Sequence, residues 1–440
     1  MNPVSEPLRL KVQQVGSVCL FELSWGKGQQ LSATLPYPTA LISFYQDWRR
    51  IYLSFYETAE MPIVAAIAPS APESNLRGRA AESGSIAPST IDWHARLVEA
   101  EAKLLYEFHR WLRSAELFDI RARIAQARRD HPDAEPWVDV FLVCTPLPLA
   151  RLPWEVWEIG SEFGTTGIIR IVRTPANIRA DSGASSNTFS RRSRPRILAI
   201  LGDDTGLNFQ VDQDAVRSLM RIADVQFVGW QPGQTPAQVS TQIGQAIADE
   251  QGWDVLVFAG HSNETQITGG ELAIAPGSSI QISEIALQLA IAKQRGLQFA
   301  LFNSCSGLSI AESLIDLGLS QVAVMREPVH NRVAQEFLVR FLQTLGDHKD
   351  VHESLLAACQ MLKLEQNVTY PSAYLLPSLF RHPEATLFRI PPTGWKQQLK
   401  TLLPNRWQAI ALSATVALSL YNPVQDFLLN WRVGAQAVYR

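Results

Sequence analysis

Two stretches share one grammar: "VLVFAGHSNE", residues 255–264, and "FALFNSCSG", residues 299–307. In each, a short apolar run ends in small and polar residues that carry one chemically able side chain, His261 in the first and Cys305 in the second. Continuous apolar runs of this length, alternating with helical patterns, are what strands buried on both faces of a parallel sheet look like. The same rhythm runs through "RILAIL" (196–201), "VQFVGW" (225–230), "DVLVFA" (254–259), "QFALFN" (298–303) and "QVAVM" (321–325). Helices are expected between them at 212–222, 237–250, 283–294, 308–317 and 330–345. The predicted fold class is α/β, a mostly parallel sheet flanked by helices and preceded by an N-terminal α+β region. Function in such sheets gathers beyond the carboxyl ends of the strands, where His261 and Cys305 both fall.

If strands 254–259 and 298–303 are neighbours, right-handed crossovers bring their ends to one edge about 4.8 Å apart. A thiolate is favoured by a nearby histidine and by a helix N-terminus, and just past Cys305, Gly307 leads directly into "LSIAESLIDLG". The backbone N–H groups of Ser262 and Cys305 are the expected oxyanion donors, with Gly260 permitting the turn before them. Taken singly, a cysteine at a strand end reads as a small buried hydrophobe and a histidine there as a hydrogen-bonded loop residue. Their matching positions in two strand units favour a nucleophile and its base. Cys19 and Cys144 lie inside strand patterns and Cys359 inside a helical one, so all three read as core residues.

With 440 residues, 46% hydrophobic and 18% charged, the chain is globular and long enough for two domains or for one large domain with appendages. A net charge of −3 exerts no global pull on nucleic acid, and none is expected as a partner. The cysteines are too far apart for a zinc site or a disulfide framework. No phosphate loop, dinucleotide turn or HExxH pattern occurs, so no cofactor or metal is expected. The opening "MNPVSEPLRLKVQQVG" lacks a secretory pattern, and a reduced, cytoplasmic setting is the expectation.

Upstream, alternation through Val18–Trp25 and Leu31–Leu35 predicts a hairpin, and "ALISFYQDWRRIYLSFY" (40–56) a helix. Residues 69–89, rich in Ser, Ala, Pro and Gly, predict a mobile loop. Apolar residues from Leu97 to Leu112 recur at helical spacing behind Asp92 as a cap. Strands follow at 138–144 and 167–173. The polar tract "ADSGASSNTFSRRSRP" (180–195) suggests a boundary near 195, its basic end reading as a solvated linker. The expected plan is thus 1–68, 69–89 and 90–195, then a catalytic core over 196–390 and a C-terminal segment over 391–440.

The substrate pocket has four candidates. Arg326 and Glu327 follow "QVAVM" at the same sheet edge, where Glu327 is placed to select a basic side chain; an exposed ion pair or loop contact is the other reading. Asp203 and Asp204 follow "RILAIL", with an Asx turn as the alternative. In Leu152-Pro153-Trp154-Glu155 the tryptophan and leucine are expected to pack the core, with Glu155 a candidate for orienting a loop near the site.

"VLVFAGHS", "LFNSCSG", "VAVMREPVHNRVAQEFLVRFLQTL", "ESLLAACQMLK" and "LARLPWEVWE" together resemble the CHAT domain, a family of caspase- and separase-like cysteine peptidases, over roughly 138–390. The resemblance implies a caspase-like fold and a metal-free His/Cys dyad acting on protein or peptide substrates, with His261 and Cys305 at the matching positions. The interval from the histidine to the cysteine also fits the caspase spacing. The family usually carries glycine after the histidine, where this chain has Ser262, so a catalytically inactive interaction or signalling module stands beside the endopeptidase reading. An acyl transferase using the same dyad is the third reading. The segment "RWQAIALSATVALSLYNPVQDFLLNWRVGAQAVYR" (406–440) resembles the start of a cyanobacterial CHASE-type sensor region. Its apolar stretch is shorter than the roughly 20 residues that cross a bilayer. Lys396, Lys400 and Arg406 before it fit positive-inside anchoring, so membrane association through 405–430 is the expectation there.

Overall fold

A computed structural model describes residues 7–65, 91–129, 137–159, 163, 168–175, 194–205, 207–264, 270–304 and 307–392. The stretches expected to form a mobile loop (69–89), a linker (most of 180–195) and a membrane-associated tail (405–430) lie outside these residues, as does Cys305.

Alternation builds the N-terminal part. Strands β1 (Leu8–Val15), β2 (Val18–Trp25) and β3 (Gln29–Pro36) form an antiparallel meander. Leu8, Leu10 and Val12 of β1, with Cys19, Phe21 and Leu23 of β2, point inward and are buried. The sequence reading contained β2 and β3 but not β1, although its inward residues alternate with Arg9 and Lys11. Helices α1 (Thr39–Ala65), α2 (Trp93–Leu112) and α3 (Phe118–Arg129) follow. Asp92 caps α2 as expected, its carboxylate accepting from the Ala95 N–H at 2.9 Å. Strand β4 (Trp137–Thr145), the single turn α4 (Leu147–Ala150) and β5 (Ile168–Arg173) complete this part.

The alternating α/β part runs β6 (Arg196–Leu201), α5 (Gln210–Arg217), β7 (Asp224–Gly229), α6 (Pro236–Ile247) and β8 (Val255–Ala259). A small three-stranded sheet intervenes, made of β9 (Ser262–Asn263), β10 (Glu271–Ala275) and β11 (Ser278–Gln281). The chain then continues through α7 (Ala286–Gln294), β12 (Phe299–Asn303), α8 (Leu308–Asp316) and β13 (Gln321–Met325). It ends in α9 (Asn331–Gly346), α10 (Val351–Leu364) and β14 (Pro377–Arg381). The sequence reading placed no strand between the run 254–259 and the helix expected at 283–294. The signal of the small sheet was present in the Pro276-Gly277 turn between two short β-prone runs, with Gly277 at φ +69°.

The main sheet has the order β3-β2-β1-β4-β5-β14-β13-β12-β8-β6-β7 and is mostly parallel. Its central strands are buried on both faces, which is why they read as unbroken apolar runs. Val255, Val257, Phe299, Leu301 and Met325 face one core, with Phe337 and Phe341 of α9 and Leu355 of α10. Leu256, Phe258, Phe302 and Val324 face the other, with Val239 of α6, Leu289 of α7 and Ile310 of α8.

No break occurs at residue 195. Phe380 of β14 pairs with Arg173 of β5, and Phe21, Phe108 and Trp154 belong to the same apolar core as Phe299 and Phe337. The polar tract that suggested a boundary joins two parts of one sheet, and Met1–Ile390 forms one unit. Polarity reports that a connection is solvated and says nothing of whether its flanks share a core.

Candidate active site

β8 and β12 are parallel neighbours, with Phe258 beside Phe302 and Ala259 beside Asn303. Their carboxyl ends therefore meet at one edge, as the paired motifs predicted. Beyond β8, Gly260 takes φ +153°, and a Cβ there would come within 3.1 Å of the Gly202 Cα and 3.2 Å of Phe258 Cζ. Only glycine lets the chain leaving β8 pass that close to the loop leaving β6.

That loop holds the histidine. The His261 side chain is exposed, and its Nε2 lies 3.1 Å from the carbonyl oxygen of Thr205. A carbonyl can only accept, so this contact requires the hydrogen on Nε2 and leaves the lone pair on Nδ1. Thr205 is itself fixed by Asp203, whose Oδ1 accepts from the Thr205 N–H at 3.0 Å and from its hydroxyl at 2.7 Å. Asp203 is nearly buried and builds the Asx turn that the sequence reading kept as its alternative. Through that turn it sets the acceptor that orients His261.

Ser262 enters β9 and is buried at 4% exposure. Its hydroxyl donates to the Ser304 hydroxyl at 2.8 Å. The residue after the histidine and the residue before Cys305 are thus tied side chain to side chain. Past Cys305, Gly307 packs so closely on β13 that a Cβ would lie 2.6 Å from Val324 Cβ, and its N–H donates to the Met325 carbonyl at 2.8 Å.

Gly307 offers α8 no side-chain cap. The cap comes from Glu264 instead, whose Oε1 accepts from the N–H groups of Leu308 at 2.7 Å and Ser309 at 3.3 Å. The other Glu264 oxygen pairs with Arg151, which also reaches Glu327 Oε1 at 2.6 Å. Glu327 is fully buried, and Arg49 of α1 meets its second oxygen at 2.5 Å while the Tyr45 hydroxyl donates to the first. Burial alone would raise the Glu327 carboxyl, but Arg151, the Tyr45 hydroxyl and Arg49 outweigh it and hold the group ionised. Glu327 is thereby the hub of a buried ion-pair network, where the sequence reading set an exposed ion pair or loop contact beside substrate selection. Arg326 is equally buried, its guanidinium donating to the Leu375 carbonyl at 2.5 Å and to that of Arg151. Neither side chain faces a cleft.

Asp204 is exposed and does line one, a cavity of about 480 Å³ between the loops that follow β6 and β7, together with Leu207, Phe209, Arg217, Phe227 and Trp230. Glu155 turns from the site and grips Arg173 of β5 at 2.6 and 3.0 Å. Trp154 is fully buried, its indole N–H donating to the Leu149 carbonyl at 2.8 Å. The thiols of the core are inert by environment: desolvation pushes Cys19 up to about 11 and Cys359 to about 12, and raises Cys144 as well. Sequence reasoning missed Arg151 and Glu264, although both stood in the quoted motifs. Their signal was a lone charge of each sign beside apolar or small residues, legible only once the two segments meet. Among the described residues, no cluster of His, Cys, Asp and Glu is placed to hold a metal ion, and no helix is long and apolar enough to cross a membrane.

Comparison with known proteins sets this site in context. Among solved structures, the Porphyromonas gingivalis RgpB pro- and mature domain complex is similar at 11% identity and TM-score 0.39, covering 62% of this chain and 70% of its own. The Saccharomyces cerevisiae separase–securin complex is similar at 10% identity and TM-score 0.46, covering 85% of this chain, which spans 30% of the separase-complex chain it matches. No curated protein matches the chain. The model of the CHAT domain family matches residues 107–413, which take in both strand-end motifs and the Leu-Pro-Trp-Glu element, so the chain belongs to the CHAT domain family.

Proposed function

We propose that the chain is a cysteine endopeptidase of the caspase-like type, with Cys305 as nucleophile and His261 as its base. The observation that carries this reading is the exposed His261 ring, held at Nε2 by the Thr205 carbonyl, beside a serine pair that ties its strand end to the one leading into Cys305. In the proposed reaction Nδ1 of His261 takes the thiol proton as sulfur bonds to the peptide carbonyl carbon. The C–N bond then breaks, the proton passes to the leaving amine, and water hydrolyses the thioester.

The proposed oxyanion donors are the N–H groups of Ser262 and Cys305. The Ala273 N–H donates to the His261 carbonyl at 3.0 Å, so His261 and Ala273 form a hydrogen-bonded pair. In an antiparallel ladder the next pair is of the other kind, which aims the Ser262 N–H away from β10. Asp204 and the cavity it lines are the candidate subsite for a side chain of a protein or peptide substrate.

Profiling the purified chain against a peptide library tests the reading. Cys305→Ala is expected to abolish both cleavage and labelling by a thiol-reactive peptide electrophile, and His261→Ala to slow cleavage by roughly 10²–10⁴-fold. Unchanged labelling of Cys305→Ala overturns the assignment.

A second reading, an inactive interaction module, draws on Ser262, a buried side chain locked to Ser304 where the family usually has glycine. A parent chain that cleaves nothing while Ser262→Gly does would favour it. Membrane association through residues 405–430 is a further proposal, motivated by the apolar stretch and the basic residues before it. Flotation of the full chain with anionic vesicles, against a chain ending at residue 390, tests it.

A further inference from the structure

Glu264 takes no part in the proposed chemistry, yet its carboxylate joins three elements at the candidate site. It leaves β9 just after His261, caps the helix that begins just past Cys305, and pairs with Arg151 at the end of α4. Glu264 and Arg151 are both mostly buried, with side chains 11% and 18% exposed. A helix normally meets its unpaired N–H groups with its own cap residue or with water, and α8 does neither at Leu308. The anion also sits where the helix dipole would otherwise favour a thiolate.

We propose that Glu264 is a positioning residue of the dyad, pinning the His261 strand end to the N-terminus of α8 and setting the charge at that terminus. The proposal rests on the dyad assigned above. Arg151 balances the carboxylate and hands the connection on to Glu327 and so to Arg49 of α1. Other charged groups facing this region are Glu312 on α8, whose carboxyl is raised by desolvation and then, against Arg173, by Asp316 and Glu264. His261 and Asp203 stand at the ends of β8 and β6, and Arg326 beyond β13.

The test reads the thiol directly. In the full chain, the pH dependence of iodoacetamide alkylation at Cys305 is followed by mass spectrometry in the parent and in Glu264→Gln, which keeps an acceptor oxygen and removes the charge. The midpoint is expected to fall by roughly half a pH unit. Glu264→Asp, which restores the charge, is expected to return it toward the parent value. A midpoint unmoved or raised in Glu264→Gln overturns the proposal. If Glu264→Gln does not fold, hydrogen exchange on the unaltered chain decides. Protected amides at Leu308 and Ser309 support the pin, since first-turn amides ordinarily exchange freely, and free exchange there overturns it. Alkylation is read whether or not peptides are cleaved, so failure of the peptidase reading in Cys305→Ala is seen separately.

Discussion

Ion-pair clusters centred on largely buried carboxylates stand at the two ends of β13, both built from carboxylates and arginines and wired differently. Beyond its carboxyl end, Glu327, Arg151, Glu264 and Arg49 connect α1, the end of α4, the strand after His261 and the helix after Cys305. At its amino end, where Arg381 lies opposite Gln321, Asp139 takes Arg170 at 2.6 Å through one oxygen and Arg381 at 2.6 Å through the other. Burial would raise the Asp139 carboxyl, and the two guanidinium groups overcome it. Beside this pair, His352 is desolvated and repelled by Arg170 until it titrates only at about 3. The first cluster joins segments that carry the candidate chemistry and the second joins segments that carry none. A buried charge network therefore marks function only through what it touches.

The largest expected effect comes from breaking either hub. Asp139→Ala leaves two buried arginines without their shared carboxylate and is expected to cost about 3–5 kcal/mol in urea unfolding, and Glu327→Ala, which leaves Arg151 its Glu264 partner and Arg49 partly exposed, is expected to cost less. The comparison turns on what survives. Cleavage per folded molecule should be unchanged in Asp139→Ala and reduced in Glu327→Ala, and equal losses in both would erase the distinction between the two ends.

A smaller effect is expected from pH. His352 binds protons more weakly in the folded chain than in the unfolded one, so unfolding takes up a proton as pH drops below about 6.5. The contribution is complete above that value and is lost as pH falls toward about 3. His352→Leu should flatten the stability profile between roughly pH 6.5 and 5, where the paired carboxylates remain ionised. A slope that persists in the variant assigns the effect elsewhere.

The smallest change sharpens the scale. Lys349, which precedes α10, pairs at 3.2 Å with Glu353 in the first turn of that helix, with the lysine side chain 56% exposed. Lys349→Ala is expected to cost only about 0.3–0.5 kcal/mol, measured in the same urea titration. A cost near that of the buried hubs would mean that burial is not what separates them.

Much of the architecture was legible because its signals are local. The runs 196–201, 298–303 and 321–325 correspond to β6, β12 and β13, give or take a residue, since a strand buried on both faces must be apolar throughout. The hidden strands were β1, half polar because only one face is covered, and β9–β11, too short to show a period. Asp203 was seen as a candidate, but its part in holding Thr205 and hence His261 depends on β6 and β8 being neighbours.

By itself, the sequence determined that a parallel sheet exists and that His261 and Cys305 follow strands whose ends fall at one edge of it. Burial on both faces writes a strand as an apolar run, and a residue type with its position relative to that run can be read along the chain. Tertiary structure alone decided which charges meet. Glu264 caps a helix that begins beyond Cys305, and Arg151 joins it to Glu327. Such pairs close long loops, and no local periodicity encodes them, because their stability comes from shared burial after the strands have paired.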